Sequence, residues 1–184
     1  LDDTRGMVVR SQLAEVGEET GSFNSRPLTA GEIALAVNNG LVITNVGAVK
    51  VYRNGLNNIK VSVYSGDIYI PNNNTAGLAW SEDYSIQSIT TTIGDQALFV
   101  HELMHVYQQR TLGWSRSKVG YEQLLADGDY CYRPLETNKP FFSYNQEEQA
   151  EMVSDRFILN KGLPVQKPCN RPTTLQQLNE VIDL

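Results

Sequence analysis

The chain has 184 residues, enough for one domain with a proper core, and its 41% hydrophobic and 20% charged residues are those of a globular protein. A formal charge of −6 argues against a nucleic-acid partner, which would want a basic stripe, and against attraction to anionic membrane surfaces. No apolar run approaches the roughly 18 residues that a membrane-spanning helix needs.

The chain opens Leu1-Asp2-Asp3-Thr4-Arg5, without initiator methionine, basic n-region or apolar h-region, so it carries no signal peptide to read. A processed form and a domain cut from a longer protein both fit. Residues 1–25 are polar and weakly patterned, the mark of an arm or linker, which leaves 26–184 as a single domain. Thr29-Ala30-Gly31-Glu32 has the form of a capping box ahead of Ile33, Leu35, Ala36 and Val37, and the helix it opens should end near Asn38-Asn39-Gly40. The pattern then turns to β. Leu41 to Thr44, Ala48 to Tyr52, Lys60 to Tyr64 and Ile68 to Ile70 are short, β-branched and aromatic, with Asn54-Gly55 and Ser65-Gly66-Asp67 as turns. A small antiparallel sheet is expected, and its strand Ile68 to Ile70 is expected to line a cleft and pair with an extended substrate.

Residues 71–92 are irregular, with Trp80 and Tyr84 as packing or rim aromatics. A helix is predicted from about Ile93 to Thr111, stopping before Gly113, with apolar residues around much of its circumference as in a buried helix. Within it stand both histidines of the chain, as His101-Glu102-Leu103-Met104-His105. At a spacing of four they lie on one helix face, so both imidazoles can reach one metal ion. Glu102, about 100° further round, can reach a water on that ion without being a ligand. The competing reading is an amphipathic helix with two ordinary histidines. A buried helix, however, must supply partners for its polar groups, and a metal with its water would do so.

Residues 114–144 form a long connection rich in Tyr and Pro, a length more often functional than idle. Asn145 to Lys161 reads as another helix, closed by Gly162 and Pro164, and Thr173 caps a last helix from Leu175 to Asp183. Cys131 and Cys169 allow one disulfide, closing a loop of about 38 residues and stabilising by roughly 2–4 kcal/mol if formed. Without a CxxC pair they are not zinc ligands, and the chain lacks the HxE and PCxxC pattern of a nucleobase deaminase.

A catalytic zinc site takes three protein ligands and leaves a position open. Both histidines are already used, and Gln108 and Thr111 occupy the places where an extended HExxHxxGxxH pattern needs Gly and His. The remaining candidates are carboxylates, and Glu147, Glu148, Glu151 and Asp155 follow on one predicted helix. With Asn145 as N-cap, Glu148 completes a capping box, and Glu147 lies in the first turn, where a carboxylate suits the helix dipole. Glu151 has no such explanation and is the favoured ligand over Glu148. Asp155, one turn on, would then accept the second N–H of a ligand histidine. A solvated acidic face is the alternative.

HExxH followed by a downstream ExxxD helix resembles the gluzincins, the thermolysin-like zinc peptidases. More narrowly, Asp95 to Gln108, with Tyr144-Asn145, Glu148-Gln149-Ala150-Glu151, Gly66 to Pro71 and Asp83-Tyr84-Ser85, resembles the metallopeptidase toxin domains appended to VgrG spike proteins of type VI secretion. The likeness covers about residues 66–160. It implies an α+β, zincin-like fold, a small sheet packed on the HExxH helix and on a second, ligand-bearing helix. It also implies one Zn2+ per chain on His101, His105 and Glu151, with Glu102 as general base. The chain would be an effector delivered by a type VI secretion system, joined through its N-terminal side to a spike trimer and acting in the periplasm of a target cell. A cognate immunity protein would accompany it.

The reaction expected is hydrolysis of a protein or peptide substrate. Zinc polarises the scissile carbonyl and lowers the pKa of water toward 7, while Glu102 takes the water's proton and returns it to the leaving amine. The oxyanion gains a second donor in such sites, and with no histidine left a tyrosine is expected, Tyr144 first, then Tyr132 and Tyr130. Two alternatives stand beside this reading: a hydrolase of peptidoglycan cross-links using the same site, and a non-catalytic module in which zinc only stabilises the fold.

Overall fold

The computed structural model describes residues 25–53, 61–71, 78–89, 91–114, 131–132, 135, 138–165 and 173–184. The expected arm falls almost wholly outside them, as do Tyr130 and Cys169. Among the described residues four short strands, β1 (Ser25–Pro27), β2 (Lys50–Tyr52), β3 (Ser62–Tyr64) and β4 (Asp67–Tyr69), accompany four α-helices: α1 (Ala30–Asn38), α2 (Ile93–Arg110), α3 (Gln146–Asn160) and α4 (Leu175–Val181). The class is α+β, as expected. Among the described residues no helix is long and apolar enough to cross a membrane.

The sheet is mixed rather than antiparallel. Its order is β1-β2-β4-β3, with β1 antiparallel to β2, β2 parallel to β4, and β3 antiparallel to β4. Turn residues reveal that β3 and β4 form a hairpin, but not that β2 joins it on the β4 side. This order corrects a second expectation. The strand at Ile68 has Val51 on one flank and Val63 on the other, so both of its edges are paired and it cannot receive a substrate strand.

Leu41 to Thr44 is not a strand either. Its backbone is satisfied from the end of α2: Thr44 N–H donates to Thr111 Oγ1 at 3.0 Å, and Thr111 Oγ1 donates to the Val42 carbonyl at 3.2 Å. The side chains of Leu41 and Ile43 are nonetheless buried, which is what their hydrophobicity demanded.

Helix starts follow their caps closely. Thr29, Thr92, Asn145 and Thr174 each form a reciprocal capping box with the residue three positions on. The last helix is thus capped by Thr174, one residue later than expected. Glu32 does more than cap: buried, it takes two 2.7 Å hydrogen bonds from the Arg26 guanidinium and one from Tyr84 N–H at 2.9 Å, tying β1, α1 and the segment before α2 together.

The C-terminal turn of α2 is fastened to the β3–β4 hairpin. Ser65 and Gly66 both take positive φ, 53° and 77°, as a tight two-residue hairpin turn requires. Arg110 Nε donates to the Gly66 carbonyl at 2.8 Å and Nη2 to Asp67 Oδ1 at 2.8 Å, while Gly66 N–H donates to Gln109 Oε1 at 2.8 Å. A Cβ on Gly66 would meet the Arg110 side chain at 2.5 Å, so glycine is needed for space as well as for φ.

The largest interface among the described elements is between α2 and α3. Successive contacts show that they run antiparallel. Ser154 Oγ donates to the Ala97 carbonyl at 2.9 Å, Glu151 lies against His101, Glu147 against both histidines, and Gln108 against Gln146. Phe99, Val100, Leu103, Met104, Met152, Val153 and Phe157 complete the packing from the core.

Candidate metal centre

His101 and His105 project from the middle of α2, and their side chains meet the first turns of α3. The Nε2 atoms of the two rings stand 3.1 Å apart, and Glu147 Oε2 lies 3.3 Å from Nε2 of His101 and 3.2 Å from Nε2 of His105. One ligand atom from each of the three residues falls within 4.8 Å of the others. Glu147 is buried, His101 is buried, and His105 is nearly so.

Two imidazole nitrogens cannot both present lone pairs across so short a gap; a proton on one of them, or a cation between them, relieves the contact. Burial works against charging His101, yet contacts with Glu147 and Glu151, with the charge of Glu102 added, hold its pKa up to about 9. His105 is raised as well; burial opposes the shift, Glu147 drives it, and His101 resists. Burial likewise opposes ionised Glu147, but the two histidines outweigh it and hold that carboxyl well below the usual range. The pocket therefore demands positive charge. Two nitrogens and one carboxylate oxygen form a donor set that suits zinc and leaves room for a fourth position.

At the third position the structure brings a different acid to the histidines from the one the sequence favoured. Glu147, set aside there as a first-turn carboxylate, is the acid that reaches both histidines. Glu151 sits one turn deeper, its Oε2 3.3 Å from His101 Nδ1, on the far side of the ring from the triad. It holds the place expected of Asp155. Asp155 in turn accepts from the Tyr132 hydroxyl at 2.6 Å, and burial, then this carboxylate, pushes the Tyr132 hydroxyl up. The acid that meets both histidines thus lies one helical turn before the one favoured from the sequence. Glu148 is the capping-box residue, as expected: Asn145 N–H donates to its Oε2 at 2.9 Å.

Glu102 is buried on the same helix, and its charge acts on both histidines. Tyr144 is buried beneath the Lys139 ammonium, 3.9 Å from its ring centroid, and its backbone carbonyl accepts from Gln149 Nε2 at 2.6 Å. Cys131 is disulfide-bonded, and the chain's other cysteine, Cys169, lies outside the described residues. Sequence reasoning missed Gln108 and Gln149, both buried: Gln108 accepts from His105 Nδ1 at 2.8 Å and donates to Gln149 Oε1 at 3.2 Å. The available signal was position, since Gln108 follows His105 at i+3 and shares its helix face.

The fold and the cluster define an α+β domain that carries an HExxH helix crossed by a glutamate-bearing helix. No family model matches the chain. Over 81 residues, 41% of its length, the chain is 40% identical to the type VI secretion system spike protein VgrG2b of Pseudomonas aeruginosa, and the match spans 7% of that protein. The solved effector domain of Pseudomonas aeruginosa VgrG2b superposes with a TM-score of 0.62 at 27% identity, covering 82% of this chain and 85% of that one. The chain is thus a relative of VgrG2b, and its fold is that of the VgrG2b effector domain.

Proposed function

We propose that the chain is a zincin-like, gluzincin-type zinc metallopeptidase, delivered as the effector part of a type VI secretion spike. The observation that carries this reading is the convergence, within 4.8 Å, of His101 and His105 from the HExxH helix with Glu147 from α3. Likeness to the VgrG2b effector domain supports the delivery route. Attachment to a spike, a cognate immunity protein and action in the periplasm of a target cell belong to the same proposal.

His101, His105 and Glu147 would hold the ion, and Glu151 would keep His101 oriented through Nδ1. Bound there, zinc supplies a Lewis acid and a water acidic enough to ionise near neutral pH. Glu102 takes the proton of the attacking water and returns it to the leaving amine. Burial of the cluster keeps bulk water from these groups, so their fields are weakly screened.

The test compares wild type with Glu102→Ala for zinc content and for toxicity when directed to the cytoplasm or periplasm of a test bacterium. One zinc per chain in both, with toxicity lost only in the variant, is the expected outcome. Zinc retained with toxicity unchanged would make the metal structural and leave a binding module. Digestion of purified sacculi against a protein mixture then separates peptidoglycan from protein as substrate.

A further inference from the structure

The two ligand histidines are held by different means. Nδ1 of His101 faces a carboxylate, Glu151, whereas Nδ1 of His105 faces a neutral amide, Gln108. The direction of that second contact is forced. Gln149 Nε2 meets the Tyr144 backbone carbonyl at 2.6 Å, and Gln108 Nε2 meets the Gln146 backbone carbonyl at 3.2 Å. Carbonyls only accept, so both of these amide ends must be NH2 groups. The Gln149 oxygen then faces Gln108 Nε2 at 3.2 Å, and the Gln108 oxygen faces His105 Nδ1 at 2.8 Å. His105 must therefore carry a proton on Nδ1, which leaves Nε2, the atom that faces Glu147 and His101, as the nitrogen available to a metal.

We propose that Gln108, aimed by Gln149, is a positioning residue that fixes the tautomer and ring orientation of His105 for metal binding. This inference rests on the metal-centre reading. The relay also ties that histidine to the N-terminal turns of α3, because Gln108 bonds the backbone of Gln146, the residue before Glu147. Aiming the histidine and placing the carboxylate are therefore one structural event. A neutral amide suits the position: Glu102, Glu147 and Glu151 already crowd the cluster, and another carboxylate would add repulsion.

The experiment measures zinc affinity by competition with a chromophoric chelator, together with the visible spectrum of the Co2+-loaded protein. Gln108→Leu should bind zinc about 10- to 100-fold more weakly, the range typical of outer partners of ligand histidines, with an altered Co2+ spectrum. Gln108→Glu restores an acceptor at Nδ1 and should recover part of that loss, short of wild type because its second oxygen faces the Gln146 and Gln149 oxygens to which Gln108 Nε2 donates. Gln149→Leu should weaken binding less, and the double variant should be no weaker than Gln108→Leu alone, because the two residues act in series. Wild-type affinity in a folded Gln108→Leu protein overturns the proposal. So does a Gln108→Glu protein as weak as Gln108→Leu, which would make the residue a mere strut. Should Gln108→Leu fail to fold, Gln108→Glu and Gln149→Leu carry the test: normal zinc affinity in Gln149→Leu removes the relay. A wild type that binds no zinc removes the metal centre and the relay together, whereas zinc bound by wild type and equally by Gln108→Leu removes the relay alone.

Discussion

Around β2 and β4 the buried side chains are Val49, Val51, Ile68 and Ile70, all aliphatic; along α3 they include Gln146, Glu147, Gln149, Glu151, Ser154 and Asp155. The first region is held by removal of apolar surface from water, which is non-directional and tolerates small shifts. The second buries groups that each cost roughly 1–3 kcal/mol when left unmatched, so it survives only where every partner is in place. An interior that keeps so many polar groups on one helix spends stability on geometry. The difference teaches where chemistry resides in this fold: the sheet positions the end of α2 through Gly66, Asp67 and Arg110, and the helix pair assembles the site.

Glu147→Ala breaks that division most severely. Loss of a ligand should weaken zinc binding by more than the roughly 100-fold seen for outer partners, and a chelator competition assay reads it directly. Ile68→Ala tests the other region. Removing a fully buried aliphatic side chain should cost about 2–5 kcal/mol in denaturant unfolding, while zinc content of the folded protein stays at the wild-type value. Glu151→Ala tests the proposed ligand set: with Glu151 orienting His101 through Nδ1, its loss should weaken zinc binding about 10- to 100-fold, less than loss of Glu147. Equal or greater weakening would return Glu151 to the ligand set.

The metal-free protein should also show a pH dependence. The His101 pKa is raised from 6.5 in the unfolded chain to about 9 in the folded one, so the folded state binds the proton more tightly. The stabilisation from this histidine is fully present below pH 6.5 and is lost as pH rises through about 9. Denaturant titrations in excess chelator should show that decline. The zinc-loaded protein should show a flatter profile over the same range, because the metal replaces the proton.

The sequence alone determined two of the helix starts, because a capping box is a local device: Thr29 with Glu32 and Asn145 with Glu148 need only residues three apart. It also determined that His101 and His105 share a face, and that Glu147, Glu151 and Asp155 share another, because helical periodicity requires both. Tertiary structure alone decided which carboxylate meets the histidines. That depends on how far α3 slides along α2, a level set by distant contacts such as Ser154 with the Ala97 carbonyl. Strand order was likewise invisible, since alternation records which face is buried and not which neighbour pairs. The direction in which Gln108 and Gln149 point was invisible for the same reason: an amide reads as polar in any sequence, and only its buried partners set its orientation.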